Sequence, residues 1–232
     1  MVLDPDLLLR AYRIGVFPMS DGRTAEDVYW VEPRRRAILP LTAFHLSRSL
    51  RKTLRSGIYH VTHDRAFTEV VRRCAKREDT WINAEIETSY ARLHESGHAH
   101  SIEAWHGDIL AGGLYGVRIG GAFFGESMFS ARADASKVAL AWLVARLIAG
   151  GFRLLDCQFI TPHLRSLGAV EIDQADYLAL LASALGGEVG GGSASADAAE
   201  FDALDRLLEA RAGSAGSPPP GWVISQLLGQ TS

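Results

Sequence analysis

Apolar residues recur along this chain with two different periods, and the change of period divides it. Residues 4–16 predict a short helix, with Asp4 in capping position and Pro5 at the first helical position. Residues 16–27 predict a loop, and 28–33 and 35–41 two short strands. Beyond them, Leu46, Leu50 and Leu54 form the apolar stripe of a helix that Ser47 caps and Gly57 ends. Arg48, Arg51, Lys52 and Arg55 sit at i, i+3, i+4 and i+7 of that helix and share one face. Residues 59–64 predict a strand, and 65–76 and 84–96 predict helices. From residue 98 the period shortens: three strands follow, joined by turns at 106–108 and 119–121. A long apolar helix runs from a cap at 134–136 to the glycines at 150 and 151. A buried strand at 152–159, a short helix at 162–167, a strand at 169–172 and a helix at 174–185 complete the pattern. From residue 186 the chain is rich in Gly, Ala and Ser with a run of prolines, which predicts a partly flexible extension holding one amphipathic helix at 198–211.

Composition changes this picture little. The chain has 232 residues, 47% hydrophobic and 22% charged, ordinary for a globular protein with a sizeable core. No stretch reaches the roughly 18 uninterrupted apolar residues of a membrane helix, and the amino terminus does not have the pattern of a secretory signal. Cys74 and Cys157 stand far apart, read as reduced thiols, and point to the cytoplasm. The net charge of −3 conceals an asymmetry. Residues 31–80 hold 12 Lys or Arg against 5 Asp or Glu, whereas residues 156–232 hold 3 against 10. A basic block in an acidic protein points to a polyanion docking on one face, with solvated surface as the alternative.

Three antiparallel strands, a helix and then a strand beside them form an α+β pattern of the acyltransferase (GNAT) kind. The helix at 134–149 would point its amino end, with its unpaired N–H groups, into a substrate cleft. An acetyl-CoA enzyme leads into such a helix through a glycine-rich, basic loop. Here the segment MFSARADASK has no glycine after Gly125, which weighs against a CoA-dependent N-acetyltransferase. Glu126 and Asp156 fall in strands that otherwise want burial, where a carboxylate is costly unless it is paired. Each reads either as a structural carboxylate or as a cleft group binding a cationic amine. Gln158, two residues after Asp156, would leave the same face of its strand and could orient an amine, while Cys157 would point the other way. His94, His98, His100 and His106 lack the spacing of a metal site. Arg34, Arg35 and Arg36 read as phosphate contacts or solvated charge. A third reading is an RNA-binding module without catalysis, although its basic residues fall on a helix and not on an aromatic sheet.

The motifs together resemble a known family. AYRIGVFP at 11–18, SRS at 47–49, TWI at 80–82, HESGHAHSIE at 94–103 and GGLYGV at 112–117 come first. GESMFS with ASK, LLDCQF and SLGAVEI follow in order, and the chain thereby resembles the leucyl/phenylalanyl-tRNA-protein transferases from about residue 7 to 181. The resemblance implies a small N-terminal domain (1–62), a GNAT-like aminoacyltransferase domain (63–185) and the extension at 186–232. It implies transfer of Leu or Phe from aminoacyl-tRNA to proteins beginning with Arg or Lys, marking them for degradation, with no CoA, other cofactor or metal. Carried over by residue, it implies an acid-amide pair at Asp156 and Gln158 and a pocket glutamate at Glu126. It implies a side-chain pocket of Leu114, Phe123, Met128, Leu140, Leu143, Leu147 and Leu155, the 3′ adenosine near Trp81 and Ser130, and tRNA docking on Arg48, Arg51, Lys52 and Arg55. Met19, Leu114, Leu143 and Leu147 depart from common members, which leaves the ranking of Leu, Phe and Met as donors open.

Overall fold

A computed structural model describes residues 3–186, 199–212 and 219–229. The chain opens with helix α1 (Pro5–Arg13), capped by Asp4, and the hairpin of β1 (Phe17–Met19) and β2 (Tyr29–Val31). Next come β3 (Arg35–Ile38), α2 (Arg48–Ser56), β4 (His60–His63), α3 (Phe67–Cys74) and α4 (Ala84–Glu95). The strands β5 (Ala99–His106), β6 (Ile109–Ile119) and β7 (Ala122–Ser130) form a meander. After it stand α5 (Ala135–Ala149), β8 (Leu154–Gln158), α6 (Pro162–Ser166), β9 (Val170–Asp173), α7 (Gln174–Ala184), α8 (Ala203–Ala212) and α9 (Pro220–Gly229).

The architecture is α+β around a mixed seven-stranded sheet of order β4-β5-β6-β7-β8-β3-β9. Only β7 and β8 are parallel, joined by the crossover through α5. The predicted meander, helix and returning strand are thus present. Two differences stand out. Residues 17–19, expected in a loop, pair with β2, and β3 and β4, which both begin before residue 63, are strands of the main sheet, which therefore draws on both sides of that position. No described helix is long and apolar enough to cross a membrane.

One sheet face packs on α1, α3, α4 and α7 through Leu8, Tyr12, Val70, Tyr90 and Tyr177. The other packs on α5, which is apolar nearly all round, and a helix of that kind must be covered on both sides. The sheet covers one side; α2 and the C-terminal helices α8 and α9 cover the rest, with Phe201, Leu204, Ile224 and Leu228 buried. The extension therefore carries two described helices. One starts at Ala203 within the predicted segment, whose residue 198 lies outside the described residues, and α9 was not predicted.

Candidate active site

The site forms where β7 and β8 part. Their pairing ends at Phe124 opposite Asp156, and past it the strands diverge. Opposite this point β7 carries a bulge: Tyr115 pairs with Ser127 and Gly116 with Gly125, leaving Glu126 without a partner on β6. A bulge re-aims the side chain at the extra position. Gly116 permits it, because a Cβ there would lie 2.3 Å from Phe124 O.

Glu126 is buried, and its carboxyl is held by two tyrosines from outside the sheet. Tyr12 Oη of α1 donates to Oε1 at 2.7 Å, and Tyr90 Oη of α4 donates to Oε2 at 2.9 Å. The two hydroxyls also touch each other. Burial pushes the Glu126 carboxyl up to about 7, with the bonds from Tyr12 and Tyr90 and the nearby Gln158 amide pulling the other way. Burial also raises both tyrosines well above the ordinary phenol range.

Asp156 is fully buried on the same sheet face and is held by three residues. Arg36 Nε donates to both oxygens at 3.0 and 3.1 Å, and Nη2 to Oδ2 at 2.5 Å. Tyr177 Oη donates to Oδ2 at 2.8 Å and the Gln158 backbone N–H to Oδ1 at 2.7 Å. The Arg36 guanidinium is clamped between the rings of Phe17 and Tyr177, 4.6 Å from each centroid. Arg36 is thus neither a phosphate contact nor solvated, whereas Arg35 lies exposed against Asp173.

Gln158 ends β8 with left-handed backbone, φ 60°. The spacing of Asp156 and Gln158 predicted a shared face, but Gln158 and Cys157 border the pocket, and Asp156 does not. Gln158 is 5% exposed, and its Nε2 is buried without a hydrogen bond, although the amide is close enough to favour the Glu126 carboxylate. Burial pushes the Cys157 thiol far above the ordinary range, which leaves it a poor nucleophile.

The pocket between the parted strands encloses about 440 Å³. Leu114, Met128, Leu140, Leu143 and Leu155 line it, Trp81 stands at its wall, and Glu126 and Gln158 are its polar end. Phe123 and Leu147 do not line it. Phe123 lies where β7 and β8 are still paired and stacks on Phe201 at 5.8 Å; Leu147 is one turn, about 6 Å, further along α5 than Leu143. Ser130 faces a neighbouring cleft and accepts the Ser136 N–H at 3.2 Å at the start of α5. There Gly112 lets β6 pass beneath the helix, because a Cβ would meet Ala135 Cβ at 2.7 Å.

The basic face of α2 is divided. Arg48 and Lys52 are exposed, whereas Arg51 and Arg55 are half-buried against α9. Arg55 Nε donates to Ser225 Oγ at 2.9 Å and stacks on Trp222 at 4.3 Å. Of the histidines, His94 stacks on Phe67 and His100 on Phe201, both approach Asp64, at 3.8 and 2.7 Å, and His106 lies edge-on to Tyr59. Among the described residues His63, Asp202 and Asp205 come together, but bonds from Asp205 and Asp64 push His63 up to about 9, and Arg146 Nη1 and Nη2 grip Asp205 at 2.5 and 2.7 Å. A charged imidazole beside a guanidinium is an ion-pair cluster.

Sequence reasoning missed Tyr12, Tyr90 and Tyr177, and missed the pairing of Arg36 with Asp156. The signal was there for the first two: tyrosines on the buried stripe of a helix need an acceptor inside the protein.

Residues 38–182 match the family model of the leucyl/phenylalanyl-tRNA protein transferases, and residues 1–34 that of their N-terminal domain. A leucyl/phenylalanyl-tRNA-protein transferase of Rhizorhabdus wittichii is 61% identical over 99% of both chains. One of Novosphingobium aromaticivorans is 52% identical over 99% of this chain and 97% of its own. One of Zymomonas mobilis is 59% identical over 79% of this chain and 70% of its own. With these matches across both parts of the fold that build the Glu126 site, the chain belongs to the leucyl/phenylalanyl-tRNA-protein transferase family, a family of aminoacyltransferases.

Proposed function

We propose that this protein moves leucine or phenylalanine from charged tRNA to the amino terminus of proteins that begin with Arg or Lys, in the cytoplasm, and so marks them for degradation. The catalytic region follows the GNAT plan in this reading, with the donor held where β7 and β8 part. One observation carries it: an apolar pocket sized for one large aliphatic or aromatic side chain ends in a buried carboxyl near neutrality and an amide with an unused N–H.

The donor ester is already activated, so the protein's task is to align ester and amine and to stabilise the developing oxyanion. Leu114, Leu140, Leu143, Leu155 and Met128 take the side chain. Gln158 Nε2 donates to the ester carbonyl oxygen as it gains charge, or to the departing ribose oxygen. The α-amine attacks the carbonyl carbon, the bond to the ribose oxygen breaks, and the amine proton passes to Glu126 and on to the leaving oxygen. A proton acceptor near pH 7 is matched to an amine of pKa about 8. Asp156 acts on Gln158 through the backbone, as a positioning residue. A CoA-dependent acetyltransferase has less support, because residues 129–136 offer no glycine cradle for a pyrophosphate.

The test is label transfer from Leu-tRNA and Phe-tRNA to a reporter beginning with Arg, beside one beginning with Met and a control with labelled acetyl-CoA. Transfer from tRNA to the Arg reporter alone is expected. Transfer from acetyl-CoA, or equal labelling of both reporters, would overturn the donor or the acceptor assignment respectively.

A further inference from the structure

We propose that the cleft beside the aminoacyl pocket, formed by Arg73, Lys76 and Arg77 together with the amino end of α5, binds the phosphodiester backbone of the donor RNA next to its aminoacylated end. The proposal rests on the reading that an aminoacyl-tRNA is the donor. It places a contact with the RNA chain away from the α2 face, part of which α9 covers.

The cleft encloses about 640 Å³ and shares Arg77, Met128 and His163 with the aminoacyl pocket. The two therefore form one groove, apolar and narrow at one end, cationic and open at the other. That polarity matches an aminoacyl ester, whose side chain is apolar and whose ribose leads directly to a phosphate.

Charge decides between donor and acceptor. No carboxylate stands among the described residues that line the cleft. Arg73 Nη1 donates to Leu110 O at 2.6 Å, and Arg77 Nη2 donates to Met128 O, so carbonyls aim both guanidinium groups without cancelling their charge. Glu69, behind the cleft, offsets part of Arg73 at 2.7 Å. Burial, then the charge of Lys137, lower the His163 imidazole, so it faces the groove neutral and able to hydrogen-bond. The α5 amino end adds its positive dipole. An acceptor beginning with Arg or Lys brings at least one positive charge and is repelled here. A phosphate chain is attracted, and a backbone contact of this kind positions RNA without reading its sequence.

The experiment compares two donors in the same enzyme: Leu-tRNA, and adenosine aminoacylated at its ribose, which has no phosphate. Lys76→Glu is tested beside Lys76→Arg, because Lys76 is exposed and outside the aminoacyl pocket. Lys76→Glu should raise KM for Leu-tRNA about tenfold. KM for the phosphate-free donor should stay the same, and Lys76→Arg should restore tRNA use. The slope of log KM against log salt for tRNA should fall by roughly 0.7, as expected for one lost single-strand phosphate contact. An unchanged tRNA KM and slope in Lys76→Glu, or equal changes with both donors, would overturn the subsite. Failure of the unaltered enzyme with both donors would instead overturn the donor reading.

Discussion

The Gln158 backbone N–H donates to Asp156 Oδ1 at 2.7 Å, while the Gln158 side chain leaves Nε2 buried and unbonded at the pocket. One residue is thereby shaped by the carboxylate and presented to the substrate, and the carboxylate itself stays behind the site with Arg36. The two should fail differently when replaced. Asp156→Ala strands a buried guanidinium, which costs about 3–5 kcal/mol. Gln158→Gly keeps the left-handed backbone without strain, so stability should hold or rise by roughly 1 kcal/mol. Its turnover should fall about a hundredfold through loss of the donor. Thermal melts and single-turnover transfer check both; a Gln158→Gly enzyme at full speed would remove the amide from the mechanism.

Leu143 and Leu147 are one turn apart on α5 but only the first touches the pocket. Leu147→Ala should cost about 2–5 kcal/mol as a core cavity and leave the ratio of Phe to Leu transfer alone. Leu143→Ala should shift that ratio toward Phe by about tenfold, since the pocket gains room for a ring. Competition between the two charged tRNAs measures the ratio directly, and a shift in Leu147→Ala instead would misplace the pocket wall.

The fold was legible where period and caps agreed. Asp4 and Ser47 cap by side chain as predicted, Asp134 precedes α5 without a side-chain cap bond, and the strand period from residue 98 marks the meander. Glu126 and Gln158 were legible as polar residues in apolar strands. What alternation could not supply was the left-handed backbone of Gln158. Nor could it place Arg36 on Asp156, 120 residues away in sequence, since pairing across a sheet leaves no local period. The covering role of the extension did leave a trace in Arg146. An arginine 3% exposed within an apolar helix demands an acidic partner, and Asp205 of α8 supplies it.

Glu126 predicts a pH dependence with a definite sign. Its folded value of about 7 lies above the ordinary 4.5, so between those values the folded chain holds a proton that the unfolded chain has lost. Stability from this group therefore falls as pH rises from about 4.5 to about 7, by about 3 kcal/mol. The Glu126→Gln variant lacks this fall. Its stability advantage over the unaltered protein should grow by about that amount between pH 4 and pH 8, in denaturant melts at the two values. Its single-turnover rate should also lose the rise through pH 7 that a titrating acceptor gives. A constant difference in stability across this range would show that the carboxyl titrates normally.

His63 has the same sign of pH dependence, in a higher window, and reports on the extension. Its Nε2 lies 3.2 Å from Asp205 of α8, and the bonds from Asp205 and then Asp64 raise it from 6.5 to about 9. This contribution is fully present below about 6.5 and disappears as pH rises through about 9. The side chain is 29% exposed, so solvent reduces the gain to about 1–2 kcal/mol. His63→Gln should be less stable than the unaltered protein by that amount at pH 6 and equal to it at pH 10. Proteolysis should localise the loss, because His63 ties β4 to α8 and Arg146 grips the same Asp205 from α5. In His63→Gln at pH 6, cleavage between residues 199 and 229 should accelerate about tenfold while residues 3–186 stay resistant. Equal acceleration along the whole chain would mean that α8 does not open separately from the sheet, and that its contact with α5 holds it without the imidazole.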